Sequence, residues 1–320
     1  MTLDTVRLGE TGTQVSEIAF GTWRFGRETD DGDLEVDRGR AFDLLDAYAD
    51  AGGNFIDTAN VYGGGDSETY IGDWLAGRDR DRFVIASKIY WPTDPDDPNA
   101  GGLNRNHLRR QLETMLDRLG TRYLDLLYIH RWDDGTPAEE FMRTLDGFVA
   151  DGRVNYLGAS TMAPNAWQVA RANELARREG YEPFTVTQPR YNLANREIEA
   201  NYLPMCRSYG LGVVPWSPLA GGLLTGKYER GEEPPEGTRA ADDPGYAERY
   251  LTPENFDVAE AVAAVAGEVD ATPAQVALAW LLDHDDVTAP IIGARTVEQL
   301  EENLAAADVE LTDGDLARLD

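Results

Sequence analysis

Cysteine and lysine are the residues this chain does almost without. Of 320 residues one is cysteine, Cys206, and two are lysine, Lys88 and Lys227. A lone cysteine cannot close an internal disulfide, so a disulfide-stapled secreted scaffold is excluded and a reducing compartment is expected. No apolar run approaches the ~20 residues needed to cross a bilayer. Met1 to Glu10 is polar and lacks the apolar core of a signal peptide. A cytoplasmic protein with no membrane partner is expected. The three histidines form no Cys/His cluster at ligand spacing, so no metal is predicted. Positive charge is also scarce: 29 Lys plus Arg stand against 58 Asp plus Glu, a formal charge of −29. Phosphate-backbone binding needs a basic surface that such a chain cannot assemble, which excludes nucleic acid.

What is present is enough apolar material for a core. Apolar residues make up 42% of the chain, more than disordered chains carry. Its carboxylates are spread along the length, with pairs at Asp30-Asp31, Asp96-Asp97, Asp133-Asp134, Asp242-Asp243 and Asp285-Asp286. A carboxylate-rich, lysine-poor surface suits molar salt, where the Debye length is about 3 Å and self-repulsion is screened. A halophilic cytoplasm is the expectation; an acidic enzyme from an arginine-favouring genome is the alternative.

Eight short apolar or β-branched runs recur: Ile18–Gly21, Asn54–Asp57, Phe83–Ser87, Leu124–His130, Val154–Ser160, Phe184–Gln188, Gly212–Trp216 and Val287–Ile292. Between them lie segments of 3.6-residue periodicity, such as Leu108, Leu112, Met115, Leu116 and Leu119. Thr136-Pro137, Thr252-Pro253 and Thr272-Pro273 read as helix starts. Alternation of this kind implies parallel strands covered by helices. Eight strands favour a closed α/β (β/α)8 TIM barrel, one domain over residues 1–320, rather than an open doubly wound sheet. Thr5–Leu8 and Gln14–Ser16 fit an N-terminal β-hairpin that closes the start of the barrel. The irregular stretch from Glu229 to Leu251 follows the seventh strand, which makes it a loop insertion on the C-terminal face.

Polar residues fall at one end of these runs. Asp57 ends the second, Lys88 follows the third and His130 ends the fourth; Ser160, Gln188 and Trp216-Ser217 close the next three. In a parallel barrel those ends converge at the mouth, where active sites of this architecture lie. Tyr62 sits in a glycine-rich loop just after Asp57. A phenol near pKa 10 donates a proton poorly unless its phenolate is stabilised. An ammonium does that, and a carboxylate keeps the ammonium charged. Asp57, Lys88, Tyr62 and His130 therefore compose a general-acid assembly for a carbonyl oxygen, with the hydride left to a cofactor.

The ordered motifs resemble the aldo-keto reductase superfamily: Gly21-Thr22-Trp23, Asp57-Thr58-Ala59 with Tyr62, Lys88, Leu127-Tyr128-Ile129-His130 and Gly158-Ala159-Ser160. Gln188-Pro189-Arg190-Tyr191-Asn192, Trp216-Ser217-Pro218-Leu219 and Gly293-Ala294-Arg295 with Glu302-Asn303 continue the series. The likeness spans about Leu8 to Asp308. It is greatest to the branch of potassium-channel β-subunits and bacterial general oxidoreductases, on Arg131-Trp132-Asp133 and on Gly221 to Lys227. The resemblance implies Tyr62 as general acid, Asp57 and Lys88 tuning it, and His130 orienting the carbonyl. It implies cofactor contacts from Gly21, Thr22, Trp23, Asp57, Ser160, Gln188, Trp216, Ser217, Pro218, Leu219, Gly221 and Lys227. Ile292, Gly293, Arg295, Gln299, Glu302 and Asn303 would embrace the adenosine end. Arg295 favours NADP(H), since a guanidinium fork matches a 2′-phosphate; NAD(H) stays open because relatives carry an arginine where Gln299 stands. Thr161 departs from the asparagine of many relatives.

Trp23, Trp91 and Trp132, with Tyr62 and His130, are the candidate substrate pocket. The leading reading is an NADP-dependent oxidoreductase interconverting aldehydes or ketones, sugars included, with alcohols, its partner a small carbonyl or alcohol. A cofactor-holding regulatory or interaction subunit is the alternative, and a Schiff-base aldolase using Lys88 as nucleophile is a third.

Overall fold

The computed structural model describes residues 2–29, 31–242 and 244–320. Asp30 and Asp243, each half of an acidic pair, lie outside the described residues. The apolar runs form strands β1 (Thr5–Arg7), β2 (Gln14–Ser16), β3 (Ala19–Gly21), β4 (Phe55–Asp57) and β5 (Val84–Ile89). They continue as β6 (Leu124–Ile129), β7 (Val154–Ser160), β8 (Phe184–Gln188), β9 (Gly212–Val213) and β10 (Ile291–Ile292). β1 and β2 pair antiparallel, Val6 opposite Val15. The other eight make one parallel sheet in the order β10-β3-β4-β5-β6-β7-β8-β9. Its two edges meet: Thr288 N donates to Val213 O at 2.7 Å and Ile291 N to Pro215 O at 2.9 Å. Eight parallel strands with intervening helices are consistent with the (β/α)8 architecture.

Four boundaries differ from those expected from the sequence, each for a local reason. β5 runs through Ile89, paired with Ile129, so Lys88 lies inside the strand instead of following it. The run Gly212–Trp216 keeps ladder pairing only at Gly212–Val213, because Pro215 lacks an N–H to donate. Pro290 likewise confines the last strand to Ile291–Ile292. At the expected start Thr136-Pro137 the helix is Ala138–Ala150, and the Thr136 hydroxyl donates to Asp133 instead of capping. Thr252 and Thr272 do cap their helices, each with proline at the first turn.

Two apolar layers hold the sheet. The inner one gathers Ala19, Phe55, Ala86, Leu126, Tyr128, Val186 and Ile291, and the hairpin adds Leu8 and Val15 to it. The outer one packs helices on strands; Leu108, Leu112, Met115 and Leu119 of helix Arg105–Leu119 are buried in it. Burying each such side chain stabilises by roughly 1.5–3 kcal/mol. Inside the barrel Tyr128 is fully buried, and a Cβ on Gly158 would stand 2.4 Å from its ring. The neighbouring strand must therefore carry glycine at that position. The stretch 229–251 is not wholly irregular, for it contains helices Arg239–Asp242 and Pro244–Tyr250. It folds back on the loop after β9, the Tyr246 hydroxyl donating to Ala220 O at 2.6 Å. Among the described residues no helix is long and apolar enough to cross a membrane.

Candidate active site

Adjacent strands bring the acid-base residues together. Asp57 closes β4, Lys88 stands one residue before the end of β5 and His130 directly follows β6. The Lys88 ammonium is wholly buried; it donates to Asp57 Oδ1 at 2.5 Å and to Thr58 O at 2.8 Å. The Tyr62 hydroxyl lies 3.4 Å from the same nitrogen. Gln188 Nε2 donates to the second Asp57 oxygen at 2.8 Å. The His130 ring stands edge-on to Tyr62, centroids 6.0 Å apart, and Trp91 stands edge-on to His130 at 6.2 Å.

The electrostatics follow from burial and from one ion pair. Burial opposes the Lys88 charge, but the Asp57 carboxylate and the Tyr62 hydroxyl outweigh it and hold Lys88 above the ordinary lysine range. Burial pushes Asp57 up, with the Lys88 ammonium and the Gln188 amide opposing. Burial also raises Tyr62, against the pull of Lys88, so the phenol keeps its proton at neutral pH. His130 is pushed down to about 3, by burial first and then by Lys88. It is a neutral imidazole, and its Nδ1 is buried with no protein partner among the described residues.

A second layer supports the tyrosine loop, and the sequence reading had no signal for it. Glu68, fully buried, accepts from Ser87 Oγ at 2.7 Å and from Arg118 Nη1 at 3.1 Å. Arg118 also donates to Asn60 O at 2.8 Å. Ser87 and Lys88, consecutive on β5, face opposite sides, so this cluster lies behind the ammonium. Gly65, with φ of 109°, ends the tyrosine turn, and a Cβ there would sit 2.2 Å from the Arg118 guanidinium carbon. Turn and guanidinium thus fit only through a glycine.

The residues expected to hold a cofactor occupy the other side of the mouth. Ser160 Oγ lies 3.4 Å from Gln188 Oε1 and 3.2 Å from the Thr161 hydroxyl. Thr161, Ser217 and Ala220 have positive φ, an uncommon conformation for residues with a Cβ. Asn192 Nδ2 donates to Ser217 O at 2.8 Å and fixes that turn. Desolvation, then Arg24 and Arg295, pull Lys227 below the ordinary lysine range, so three basic groups share this side. Gln299 Oε1 accepts from Arg295 N at 3.0 Å, which ties residues 295–299 into one turn. Gly293, Gln299 and Glu302 are exposed, while Ile292 and Asn303 are buried. Thr22 is the least available of the set: its buried hydroxyl is bonded to Asp57 O and Ser67. The donor set nevertheless fits a nicotinamide dinucleotide, with buried Trp216 Nε1 lacking a protein partner among the described residues and a basic cluster for phosphate.

Of the aromatic candidates, Trp91 is 39% exposed beside His130. Trp23 is stacked by Arg27 at 4.0 Å, on the basic side. Trp132 is buried against Phe141, and Trp167, 54% exposed, packs on its edge. Trp167 thus joins the rim aromatics, while Trp132 contributes chiefly to packing. Among the described residues no three His, Cys, Asp or Glu side chains are grouped to hold a metal.

The Aldo/keto reductase family model matches residues 17–320. The chain is 40% identical to a norsolorinic acid reductase of Emericella nidulans over 97% of its length and 78% of that relative's. It is 39% identical to an uncharacterized oxidoreductase of Bacillus subtilis, over 95% of this chain and 91% of the relative. It is 36% identical to a probable voltage-gated potassium channel subunit beta of Oryza sativa subsp. japonica, over 94% and 90%.

Proposed function

The chain belongs to the aldo/keto reductase family, and from that premise we propose an oxidoreductase that interconverts aldehydes or ketones with alcohols, using NADP(H). The observation that carries the reading is the convergence of Tyr62, Lys88, Asp57 and His130 at one mouth, with the lysine 2.5 Å from the aspartate and 3.4 Å from the phenol. A bound nicotinamide dinucleotide supplies the hydride to the carbonyl carbon. Tyr62 Oη donates the proton to the carbonyl oxygen, and the Lys88 ammonium stabilises the phenolate left behind. Asp57 keeps Lys88 charged, and neutral His130 offers a ring N–H that orients the oxygen. Trp91, exposed beside His130, lines the entry and favours flat, apolar carbonyl substrates. The lysine-poor, acidic surface supports a high-salt cytoplasm as its setting.

Steady-state NADPH oxidation with a panel of aromatic, aliphatic and sugar carbonyls in molar KCl tests this. Turnover is expected in the native chain, reduced about 10²–10⁴-fold in Tyr62→Phe, with NADPH affinity unchanged within about twofold because the hydroxyl acts in the transition state. Equal turnover in that variant removes Tyr62 as the proton donor. The similarity to the rice channel subunit favours a second reading, a cofactor-holding subunit. Tight NADPH binding without turnover across the panel would select it.

A further inference from the structure

Three arginines from two ends of the described chain converge on one carboxylate. Glu35 Oε2 is paired with Arg24 Nη1, Oε1 lies 2.9 Å from Arg27 Nη1, and Arg295 Nε approaches Oε2 to 3.4 Å. The Glu35 side chain is 8% exposed, against 26% for Arg24 and 42% for Arg27 and Arg295. Backbone bonds hold the carboxylate there: Glu35 N donates to Arg27 O at 2.8 Å and Gly26 N to Val36 O at 3.0 Å. Arg24 and Arg27 come just after β3, Arg295 just after β10, and these strands are hydrogen-bonded neighbours. The basic cluster therefore belongs to the mouth itself. Lys227 feels both Arg24 and Arg295, so four basic side chains share this corner, three of them against Glu35.

We infer that Glu35 is a cofactor-specificity residue: its fixed carboxylate occupies the arginine cluster as an internal anion and disfavours the dinucleotide with the third phosphate. The inference rests on the dinucleotide reading above. Repulsion from a fixed charge scales with the charge of the ligand, and NADPH carries about two more negative charges than NADH near neutral pH. Among the described residues Arg295 Nε has no well-aligned hydrogen bond, so its fork is held near Glu35 by charge and is not consumed by it. The guanidinium remains available to a phosphate, and Glu35 weakens its grip.

The test is equilibrium titration of NADPH and NADH, followed by quenching of protein fluorescence, for the native chain, Glu35→Gln and Glu35→Asp. Glu35→Gln is expected to shift the affinity ratio at least fivefold toward NADPH, the shift shrinking as KCl rises. Glu35→Asp keeps the charge and is expected to leave the ratio within twofold. Loss of a merely structural contact would weaken both dinucleotides alike. An unchanged ratio in Glu35→Gln, with both dinucleotides binding the native chain, overturns the inference and leaves the oxidoreductase reading standing. Native chain that binds neither dinucleotide overturns both. Arg295→Ala gives an independent arm, since its ratio must move the opposite way, and a ratio that does not move counts against the inference even where Glu35→Gln fails to fold.

Discussion

The two halves of the mouth are built differently. On the β4–β7 side the strands are mostly long, with six residues in β5 and β6 and seven in β7, and Asp57 and Lys88 are buried in paired strands. On the β8–β10 side the last two strands have two residues each, prolines interrupt them, and Ser217 and Ala220 sit in strained backbone. The groups proposed to handle the proton thus stand on or beside buried strands, where a few tenths of an ångström matter. The groups proposed to hold the dinucleotide stand on loops and partly exposed arginines, where net charge matters more than exact placement. Under the proposed function, one half should answer to protonation and packing, the other to ionic strength.

The sharpest way to break this contrast is Lys88→Met. It leaves Asp57 as an unpaired buried carboxylate, so about 3–5 kcal/mol of stability should go, along with nearly all turnover. Denaturant unfolding and a carbonyl assay measure both, and a stable variant would show that the ladder does not depend on the pair.

Acid tests the same half. His130 is pushed down to about 3 and His107, buried at the start of helix Arg105–Leu119, to about 4, in each case mainly by burial. Both lie below the unfolded value near 6.5, so the unfolded chain binds more protons. Their contribution is full above about pH 6.5 and is lost as pH falls toward those values, at roughly 1.4 kcal/mol per pH unit for each ring. Melting between pH 7 and 5 should show this slope, and His107→Gln should flatten it by about half. A pH-independent melting temperature over that range contradicts the burial of both rings.

Arg118→Ala should lower kcat about tenfold by loosening the turn that carries Tyr62, with dinucleotide affinity unchanged and partial recovery in Arg118→Lys. A fall in affinity equal to the fall in kcat would place Arg118 in general folding instead. The smallest effect is expected from salt. Raising KCl from 0.1 to 1 M should change dinucleotide affinity severalfold through the exposed arginines, while kcat at saturation changes less than twofold. A kcat that follows salt as steeply as affinity would erase the distinction between the halves.

Much of the half that gathers Asp57, Lys88, Tyr62 and His130 was legible in the sequence. Buried parallel strands read as unbroken apolar runs, so the polar residue that ends each run stands out, as Asp57, His130, Ser160 and Gln188 do. Arg118 and Glu68 were not legible, because each belongs to an amphipathic helix in which a charged residue normally faces water. Their roles follow from glycine geometry at residue 65, which no periodicity encodes. Glu35 was hidden for another reason: among 58 acidic residues, one more carboxylate in a loop carries no distinguishing mark. Prolines 215 and 290 were visible, yet their shortening of β9 and β10 depends on where edge pairing falls. Trp132 was assigned to the pocket by its position after a strand, and its burial against Phe141 is a matter of helix packing.

Tyr128, seated in the space that Gly158 leaves open, stoppers the cylinder just beneath the acid-base group. With Tyr128 and its apolar neighbours filling the barrel below, a proton given up by Tyr62 under the proposed function would be replaced from the open side of the mouth. On that reading the same doorway serves reprotonation and product departure, and the readiness of the next cycle would be tied to the clearing of the last one.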